Sequence, residues 1–234
     1  MREYLIEGIK KIGLNYTDKK IDNLIKYLKY LMEYNVHTNL TAIRDANDVL
    51  EKHFLDSLLL QNLLDERQCK KAIDIGTGAG FPGMVLAIFN PDMEFVLMDS
   101  VGKKTIFLQK VKEFLNLKNV TVVNSRAEDY IDETNRETFD VGLCRGVSKL
   151  NIILEYMIPF IKIDGYFLAQ KMVGTEEEDE AKSALEILGA KIVKVHRYNL
   201  PNYGDERLVV EIIKEKTTDN KYPRRAGVAL KKPL

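Results

Sequence analysis

Short apolar runs rich in β-branched residues alternate with helical patterns from Lys71 onward, and few folds are compatible with this alternation. The runs recur about every 20–25 residues, a spacing typical of strand–helix units. Strands are predicted at 71–75, 94–99, 120–124, 139–144, 165–171, 191–198 and 207–213, and helices at 82–89, 102–116, 148–160 and 175–189. Because such units lay their strands side by side beneath packed helices, we expect an α/β protein with a seven-stranded, mostly parallel sheet.

The two ends of the chain depart from this pattern. Only residues 199–206 separate the last two predicted strands, which is enough for a hairpin and too short for a helical crossover. The last strand should therefore be antiparallel. Before Lys71, apolar residues recur at steps of three and four over 18–34 and 49–64, which predicts an N-terminal helical extension. Asp48 and Glu51 have the spacing of a capping box at the start of the second helix.

Composition limits the functions that are open to the chain. The 234 residues carry 35 basic and 35 acidic side chains, so a nucleic-acid partner must bind a local patch rather than the molecule's overall field. Two cysteines and three histidines are too few for a disulfide framework or a zinc site, and we expect no metal. The N terminus lacks the apolar stretch of a secretory signal, and glycines and prolines break the longest uncharged run, 75–91. We expect a cytoplasmic protein that does not enter a membrane.

Charge is concentrated in two short segments. Residues 221–234 hold five basic side chains and no acidic one, so we expect a basic C-terminal tail. The acidic run Glu176–Glu180 lies at the start of a predicted helix, where negative charge complements the helix dipole. We expect that run to be a solvated first turn.

A glycine-rich segment, residues 76–83, follows the first predicted strand and leads into a helix. Glycines allow a tight turn and a close approach of the backbone to a ligand. Asp99 ends the second predicted strand about 20 residues later, where a carboxylate accepts hydrogen bonds from ribose hydroxyls. The spacing Gly78-x-Gly80-x-x-Gly83 also fits the dinucleotide fingerprint, so NAD and other adenosine cofactors both remain open. Phe81 lies within the segment and is placed to help close the cofactor cleft.

Further motifs stand in a fixed order along the chain. They are Asn39-Leu-Thr-Ala-Ile-Arg-Asp45, His53-Phe-Leu-Asp56-Ser57, Asp99-Ser100, Ser125-Arg-Ala-Glu128, Cys144-Arg-Gly146 and the ending Tyr222-Pro-Arg-Arg-Ala-Gly-Val-Ala-Leu-Lys-Lys-Pro-Leu234. Together with the glycine-rich segment, they resemble the bacterial small-subunit ribosomal RNA methyltransferases of the RsmG (GidB) type. The likeness runs from about residue 35 to the end of the chain.

That resemblance implies a class I methyltransferase (Rossmann-like) fold, with S-adenosylmethionine as methyl donor and N7 of one guanine in 16S ribosomal RNA as acceptor. The substrate is then the RNA itself or the small ribosomal subunit. The cofactor contacts that it implies are Gly76, Gly78, Phe81, Asp99, Ala127, Glu128 and Arg145. The RNA contacts that it implies are Arg126, Arg207, Arg224, Arg225, Lys231 and Lys232. The expected division is a helical extension at 1–70, a methyltransferase domain at 71–216 and a basic tail at 217–234.

Methylation of guanine N7 makes a simple chemical demand. N7 has an in-plane lone pair and no proton to lose, so no general base is expected and no catalytic residue is assigned. Positioning and local electrostatics must carry the rate. Arg126 and Arg145 each follow a predicted strand, where we expect them to orient cofactor and guanine. His53 and Asp56 lie three apart on one helix face, and a structural hydrogen bond is the expected role for them.

Two other functions are compatible with parts of this pattern. A nicotinamide-dependent oxidoreductase would use the same glycine-rich segment, although the sequence offers no convincing proton donor. A non-catalytic RNA-binding module would use the helices and the tail alone. Preference for NAD over S-adenosylmethionine would identify the first, and absence of methyl transfer to ribosomal RNA would identify the second.

Overall fold

A seven-stranded sheet forms the centre of the computed structural model, which describes residues 1–174 and 177–234. The strands are β1 (Lys71–Ile75), β2 (Glu94–Asp99), β3 (Val120–Asn124), β4 (Phe139–Arg145), β5 (Ile161–Met172), β6 (Ala190–Asn199) and β7 (Glu206–Lys214). They lie in the order β3-β2-β1-β4-β5-β7-β6. The order reverses between β1 and β4, and in open α/β sheets ligands bind at such a reversal, beside the carboxyl ends of the strands.

Strand directions agree with the prediction from the sequence. β1 to β5 pair in parallel, whereas β7 is antiparallel to both β5 and β6. The predicted hairpin and antiparallel last strand are therefore confirmed, with β7 inserted between β5 and β6. The largest difference in strand bounds is at β5, which begins at Ile161 because Ile161 pairs with Phe139 ahead of an irregularity in which β5 has the extra residues.

Helices cover both faces of the sheet and form the N-terminal extension. They are α1 (Arg2–Lys11), α2 (Asp18–Thr38), α3 (Ala46–Val49), α4 (Asp56–Leu58), α5 (Gln61–Glu66), α6 (Gly83–Phe89), α7 (Gly102–Phe114), α8 (Ala127–Tyr130), α9 (Leu150–Met157), α10 (Lys182–Leu188) and α11 (Val228–Lys231). A π-helical turn, Leu50–Leu55, joins α3 to α4, and a 3-10 turn, Ile158–Phe160, follows α9. In residues 1–174 and 177–234, no helix has both the length and the apolar character needed to cross a bilayer.

The predicted capping box at Asp48 and Glu51 was wrong. The helix begins earlier, and Asp45 caps it by accepting hydrogen bonds from the backbone N–H groups of Asn47 at 2.9 Å and Asp48 at 3.0 Å. Glu51 instead lies fully buried in the π-helical turn. Such turns are frequent at functional sites, and this one also carries Lys52 and His53.

The acidic run before α10 also differs from its prediction. The helix expected at 175–189 begins at Lys182, and residues 175 and 176 lie outside the described residues. Glu177 folds back onto the protein, where its carboxylate accepts from the backbone N–H of Leu150 at 2.5 Å and from Lys171 Nζ at 2.7 Å. Glu177 is therefore an internal partner rather than part of a solvated first turn.

Two hydrophobic cores lie on opposite faces of the sheet. One joins the sheet to α6, α7 and the N-terminal helices, and it includes Leu24, Leu28 and Phe107. The other joins the sheet to α9, α10 and the C-terminal segment, and it includes Ile153 and Ala229. Because the N-terminal helices share a core with the sheet, they pack as part of one unit with it, and the division at residues 70 and 216 stays a prediction.

Candidate functional site

The glycine-rich segment turns sharply at the carboxyl end of β1. Gly76, Gly78 and Gly80 have φ values of +72°, +63° and +101°, in the region that favours glycine. The buried carboxylate of Asp74 holds this turn together, because its Oδ2 accepts from Gly83 N–H and from Thr77 Oγ1, each at 2.7 Å. Burial raises the pKa of Asp74 to about 7.

Asp99 ends β2 opposite that turn. Its carboxylate accepts hydrogen bonds from the backbone N–H of Gly78 at 3.0 Å and of Val101 at 2.9 Å. Lys104 Nζ lies 3.2 Å from the same group. Asp99 therefore ties the glycine-rich turn to the start of α7, and its side chain is only 5% exposed.

A first cavity of about 430 Å³ opens at the carboxyl ends of β1, β2 and β3. Gly76 and Asp99 form one part of its wall, and Arg126, Ala127 and Glu128 form another. The fold thus brings together predicted site residues that follow three different strands. Gly78 is not a lining residue, but its backbone N–H donates to Asp99, which is.

The C-terminal segment closes one side of the first cavity. Gly227 and Leu230 line it, and Gly227 N–H donates to Glu128 Oε1 at 3.4 Å. Arg224 anchors the segment by donating from its backbone N–H, at 2.8 Å, and from Nη2, at 2.5 Å, to the fully buried carboxylate of Glu155. The sequence predicts only a basic tail here. The available signal was the single charged residue, Glu155, in the mostly apolar helix α9.

A second cavity of about 470 Å³ adjoins the first, and Gly146 and Val147 belong to the walls of both. Its other walls come from the π-helical turn, α4, β4, β5 and the start of β7. They include Lys52, His53, Asp56, Arg145, Gln170, Lys171 and Arg207. Gln170 and Lys171 carry no signal in the sequence that marks them as site residues.

Arg145 lies in the wall of the second cavity. Its Nη1 donates to Asp56 Oδ2 at 2.7 Å and to the backbone carbonyl of Lys52 at 3.1 Å. Its guanidinium carbon lies 5.2 Å from the centre of the Phe81 ring, which is itself buried. Phe81 and Arg145 are therefore packed together beside the second cavity, and the cofactor contacts that the resemblance implies for them stay a prediction.

His53 is held between the helical extension and the glycine-rich segment. Its Nε2 lies 2.8 Å from Thr41 Oγ1, and its ring stacks on Phe81 with 4.7 Å between the ring centres. Burial, assisted by the positive charge of Arg145, lowers the pKa of His53 to about 3. The imidazole is therefore neutral near pH 7, and the structural role expected for it stays a prediction.

The predicted RNA contacts lie in three places. Arg126 is exposed and lines the first cavity, and Arg207 lines the second. Arg224 makes the buried ion pair that anchors the C-terminal segment. The other three are exposed on that segment: Arg225, Lys231 and Lys232.

Relatives of known family match the whole chain. The model of the family described as rRNA small subunit methyltransferase G (GidB) matches residues 20–208. The ribosomal RNA small subunit methyltransferase G of Fusobacterium nucleatum is 57% identical over 234 residues, the full length of both chains. That of Acetivibrio thermocellus is 42% identical and covers 100% of this chain and 97% of its own. This chain belongs to that family.

The chain is therefore a methyltransferase of small-subunit (16S) ribosomal RNA that uses S-adenosylmethionine, as the resemblance implied. The oxidoreductase and the non-catalytic RNA-binding module are set aside. Solved structures share its fold at low identity. A SAM-dependent methyltransferase from Aquifex aeolicus has a TM-score of 0.54 at 20% identity and covers 71% of this chain and 93% of its own. M. jannaschii TYW2 in complex with AdoMet has a TM-score of 0.51 at 14% identity, over 66% and 77%. The class I methyltransferase fold is confirmed.

The first cavity combines two of the predicted cofactor features. The turn at Gly76 and Gly78 lets a ligand approach the backbone closely, and the carboxylate of Asp99 lies at the end of β2. Across residues 1–174 and 177–234, no group of three or more His, Cys, Asp and Glu side chains could hold a metal ion.

Proposed function

We propose that the protein transfers the methyl group of S-adenosylmethionine, bound in the first cavity, to N7 of one guanine of 16S ribosomal RNA, held in the second. A single observation carries this assignment: the two cavities meet at Gly146 and Val147, at the carboxyl edge of the sheet. Reactants in adjoining cavities are held in the proximity that a direct displacement needs.

The residues that would hold the cofactor surround the first cavity. Asp99 would accept from the ribose hydroxyls, and its hydrogen bond to Gly78 keeps the glycine-rich turn beside the ligand. Gly76, Ala127 and Glu128 complete this part of the wall. In our proposal, Phe81 and Arg145 act at the junction of the cavities, since Arg145 directly precedes Gly146 and packs on the Phe81 ring.

Methyl transfer to N7 requires the protein mainly to place the two reactants. S-adenosylmethionine, when bound, supplies a methyl group on a positively charged sulfur that needs no further activation. Guanine N7 brings a lone pair and no proton, so no side chain has to act as a general base. The neutral imidazole of His53 is consistent with this, because its pKa is lowered to about 3.

Electrostatics in the second cavity suit a base that becomes positively charged. Unpaired cations beside such a base would oppose the reaction, and each cation of this cavity has an acidic partner. The pairs are Lys52 with Asp48 at 3.4 Å, Arg145 with Asp56 at 2.7 Å, Lys171 with Glu177 at 2.7 Å, and Arg207 with Asp56 at 3.4 Å and Asp205 at 3.9 Å.

The exposed basic side chains near the first cavity are the proposed phosphate contacts. They are Arg126, Arg225, Lys231 and Lys232. Arg224 and Arg207 contribute through their ion pairs, by holding the C-terminal segment and the second cavity in place. A cytoplasmic location follows from this substrate, since ribosomal RNA and ribosomal subunits are in the bacterial cytoplasm.

Mapping of methyl groups tests the proposal. Ribosomal RNA from cells with and without the gene is compared, using chemical cleavage at 7-methylguanine to locate the modified base. We expect one guanine of the small-subunit RNA to lose its N7 methyl group without the gene, and purified protein to restore it with S-adenosylmethionine. Unchanged methylation in the deleted cells, or a methyl group on another atom, would reject the assignment to N7.

A further inference from the structure

Two buried oxygen atoms in the wall of the second cavity accept no hydrogen bond within the described residues. In residues 1–174 and 177–234, neither Gln170 Oε1 nor Asp56 Oδ1 has a hydrogen-bond partner. Their residues are only 4% and 3% exposed. An unpaired buried acceptor costs about 1–3 kcal/mol, so such atoms usually have partners. Two of them on one cavity wall point to a ligand with hydrogen-bond donors.

Neighbouring contacts fix the orientation of both acceptors. Gln170 Nε2 donates to the backbone carbonyl of Asp56 at 2.8 Å, which identifies Oε1 as the unpaired atom of the amide. Arg145 Nη1 donates to Asp56 Oδ2 at 2.7 Å, and Arg207 Nε lies 3.4 Å from Oδ1 as an ion pair. Because these side chains are already held in place, binding a ligand there costs little side-chain entropy.

Guanine is the base that suits a pair of acceptors. Its N1–H and 2-amino groups are adjacent donors on one edge, and N7 lies on a different edge of the ring system. Adenine has neither the N1–H nor the 2-amino group. Acceptors that bind the donor edge of guanine therefore select against adenine and leave N7 free to react. A site built to satisfy hydrogen bonds rejects an analogue that lacks them, because its own buried groups then stay unpaired.

We propose that Gln170 and Asp56 recognise the target guanine, with Gln170 Oε1 accepting from the 2-amino group and Asp56 Oδ1 accepting from N1–H. This assignment, which rests on the proposed function, makes Gln170 and Asp56 the residues that determine base specificity. Arg145 is then a positioning residue that acts through Asp56.

Inosine provides the test, because it differs from guanosine only in lacking the 2-amino group. Small ribosomal subunits are reconstituted with RNA that carries guanosine or inosine at the mapped position, and kcat/KM is measured for each. We expect the wild type to prefer guanosine by about tenfold, the worth of one hydrogen bond to a buried acceptor. Gln170→Met, which keeps the length of the side chain and removes the acceptor, should bring the ratio close to one.

Asp56→Asn should keep the guanosine preference that Gln170→Met removes. Inosine keeps N1–H, so this variant should lower kcat/KM for both substrates by a similar factor and preserve the guanosine preference. Gln61→Met is the matched control, since Gln61 is also a buried glutamine. Its side-chain Nε2 donates to Asn90 Oδ1 and to Asp65 Oδ1, each at 2.8 Å. The control should keep the wild-type ratio, and all variants should bind S-adenosylmethionine within about twofold of the wild type by calorimetry.

The outcomes distinguish a failure of the proposed base recognition from a failure of the proposed function. Equal rates on guanosine and inosine in the wild type would overturn the recognition by Gln170, and this comparison needs no variant. A wild-type ratio in Gln170→Met would overturn it as well. Absence of N7 methylation on the guanosine substrate would instead remove the proposed function, whatever the ratios show.

Discussion

The two adjoining cavities are assembled in different ways. The first takes most of its wall from short segments that directly follow β1, β2 and β3, and each of those segments is recognisable in the sequence. The second combines side chains that lie far apart, such as Asp56 and Gln170, which are separated by 114 residues. A site built from strand ends is local in the chain, whereas a site built between elements exists only after folding. Variants that affect one cavity and spare the other test this difference.

The largest effect is expected from Asp99→Ala, in the first cavity. Loss of a carboxylate that binds ribose hydroxyls removes charge-assisted hydrogen bonds worth about 3 kcal/mol together, so the Kd for S-adenosylmethionine should rise about 100-fold. Calorimetry measures the Kd, and the thermal unfolding midpoint reports whether the fold persists. Asp92→Ala, an exposed aspartate just before β2, is the control. An unchanged Kd in a folded Asp99→Ala protein would take Asp99 out of the cofactor site.

A second prediction concerns the two buried aspartates, Asp74 beside the first cavity and Asp56 in the second. Asp56 has arginine partners, whereas the partners found for Asp74 are the neutral groups Thr77 Oγ1 and Gly83 N–H. Burial raises the pKa of Asp74 to about 7. The folded state then holds a proton that the unfolded chain releases near its ordinary pKa of about 4, so the stabilisation from that proton is lost as the pH rises toward 7.

The measurement compares the wild type with Asp74→Asn by urea unfolding across that pH range. The free energy of unfolding of the wild type, relative to the variant, should fall by about 2 kcal/mol between about pH 5 and pH 7. Asn has no titrating group, so the variant subtracts the pH dependence of all other residues. A difference that stays constant with pH, or that grows as the pH rises, would show that Asp74 is ionised throughout.

The contrast between the two cavities also explains which parts of the fold and of the site could be predicted from the sequence. Buried strands, the glycine-rich turn and Asp99 are set by local patterns, and apart from the early start of β5 they lie where the sequence predicts. The anchoring of Arg224 by Glu155, 69 residues away, depends on tertiary packing, and so does the pairing of Arg145 with Asp56. The capping box failed for a smaller reason: Asp45 is an equally good cap three residues upstream, and spacing alone does not choose between them.

Arg145→Lys decides between the cofactor contact that the resemblance implies and the positioning role that the structure supports. Lysine cannot reproduce the planar fork of Arg145, in which Nη1 donates to Asp56 and to the Lys52 carbonyl while Nη2 lies 3.1 Å from His53 Nδ1. We expect kcat/KM for small subunits to fall about 20-fold, and the Kd for S-adenosylmethionine to stay within about twofold, because the bonds lost are in the second cavity. Arg197→Lys, in an exposed ion pair with Glu206, is the control. A rise in the cofactor Kd that matches the loss of activity would show that Arg145 acts on the cofactor.

The smallest effect is expected at the C-terminal segment, which belongs to both the cofactor wall and the RNA surface. Deleting the segment would remove Gly227 and Leu230 from the first cavity, so a charge substitution is the cleaner experiment. The triple variant Arg225→Ala, Lys231→Ala, Lys232→Ala should weaken RNA binding about tenfold. It should also reduce the salt slope of log K by about 2, since each lost phosphate contact removes roughly 0.7–0.9. Filter binding across salt concentrations measures the slope, with exposed Lys10, Lys118 and Lys216 changed to alanine as the control. Equal slopes for the two triple variants would mean that the segment contributes only a wall of the cofactor site, and that the RNA is held elsewhere.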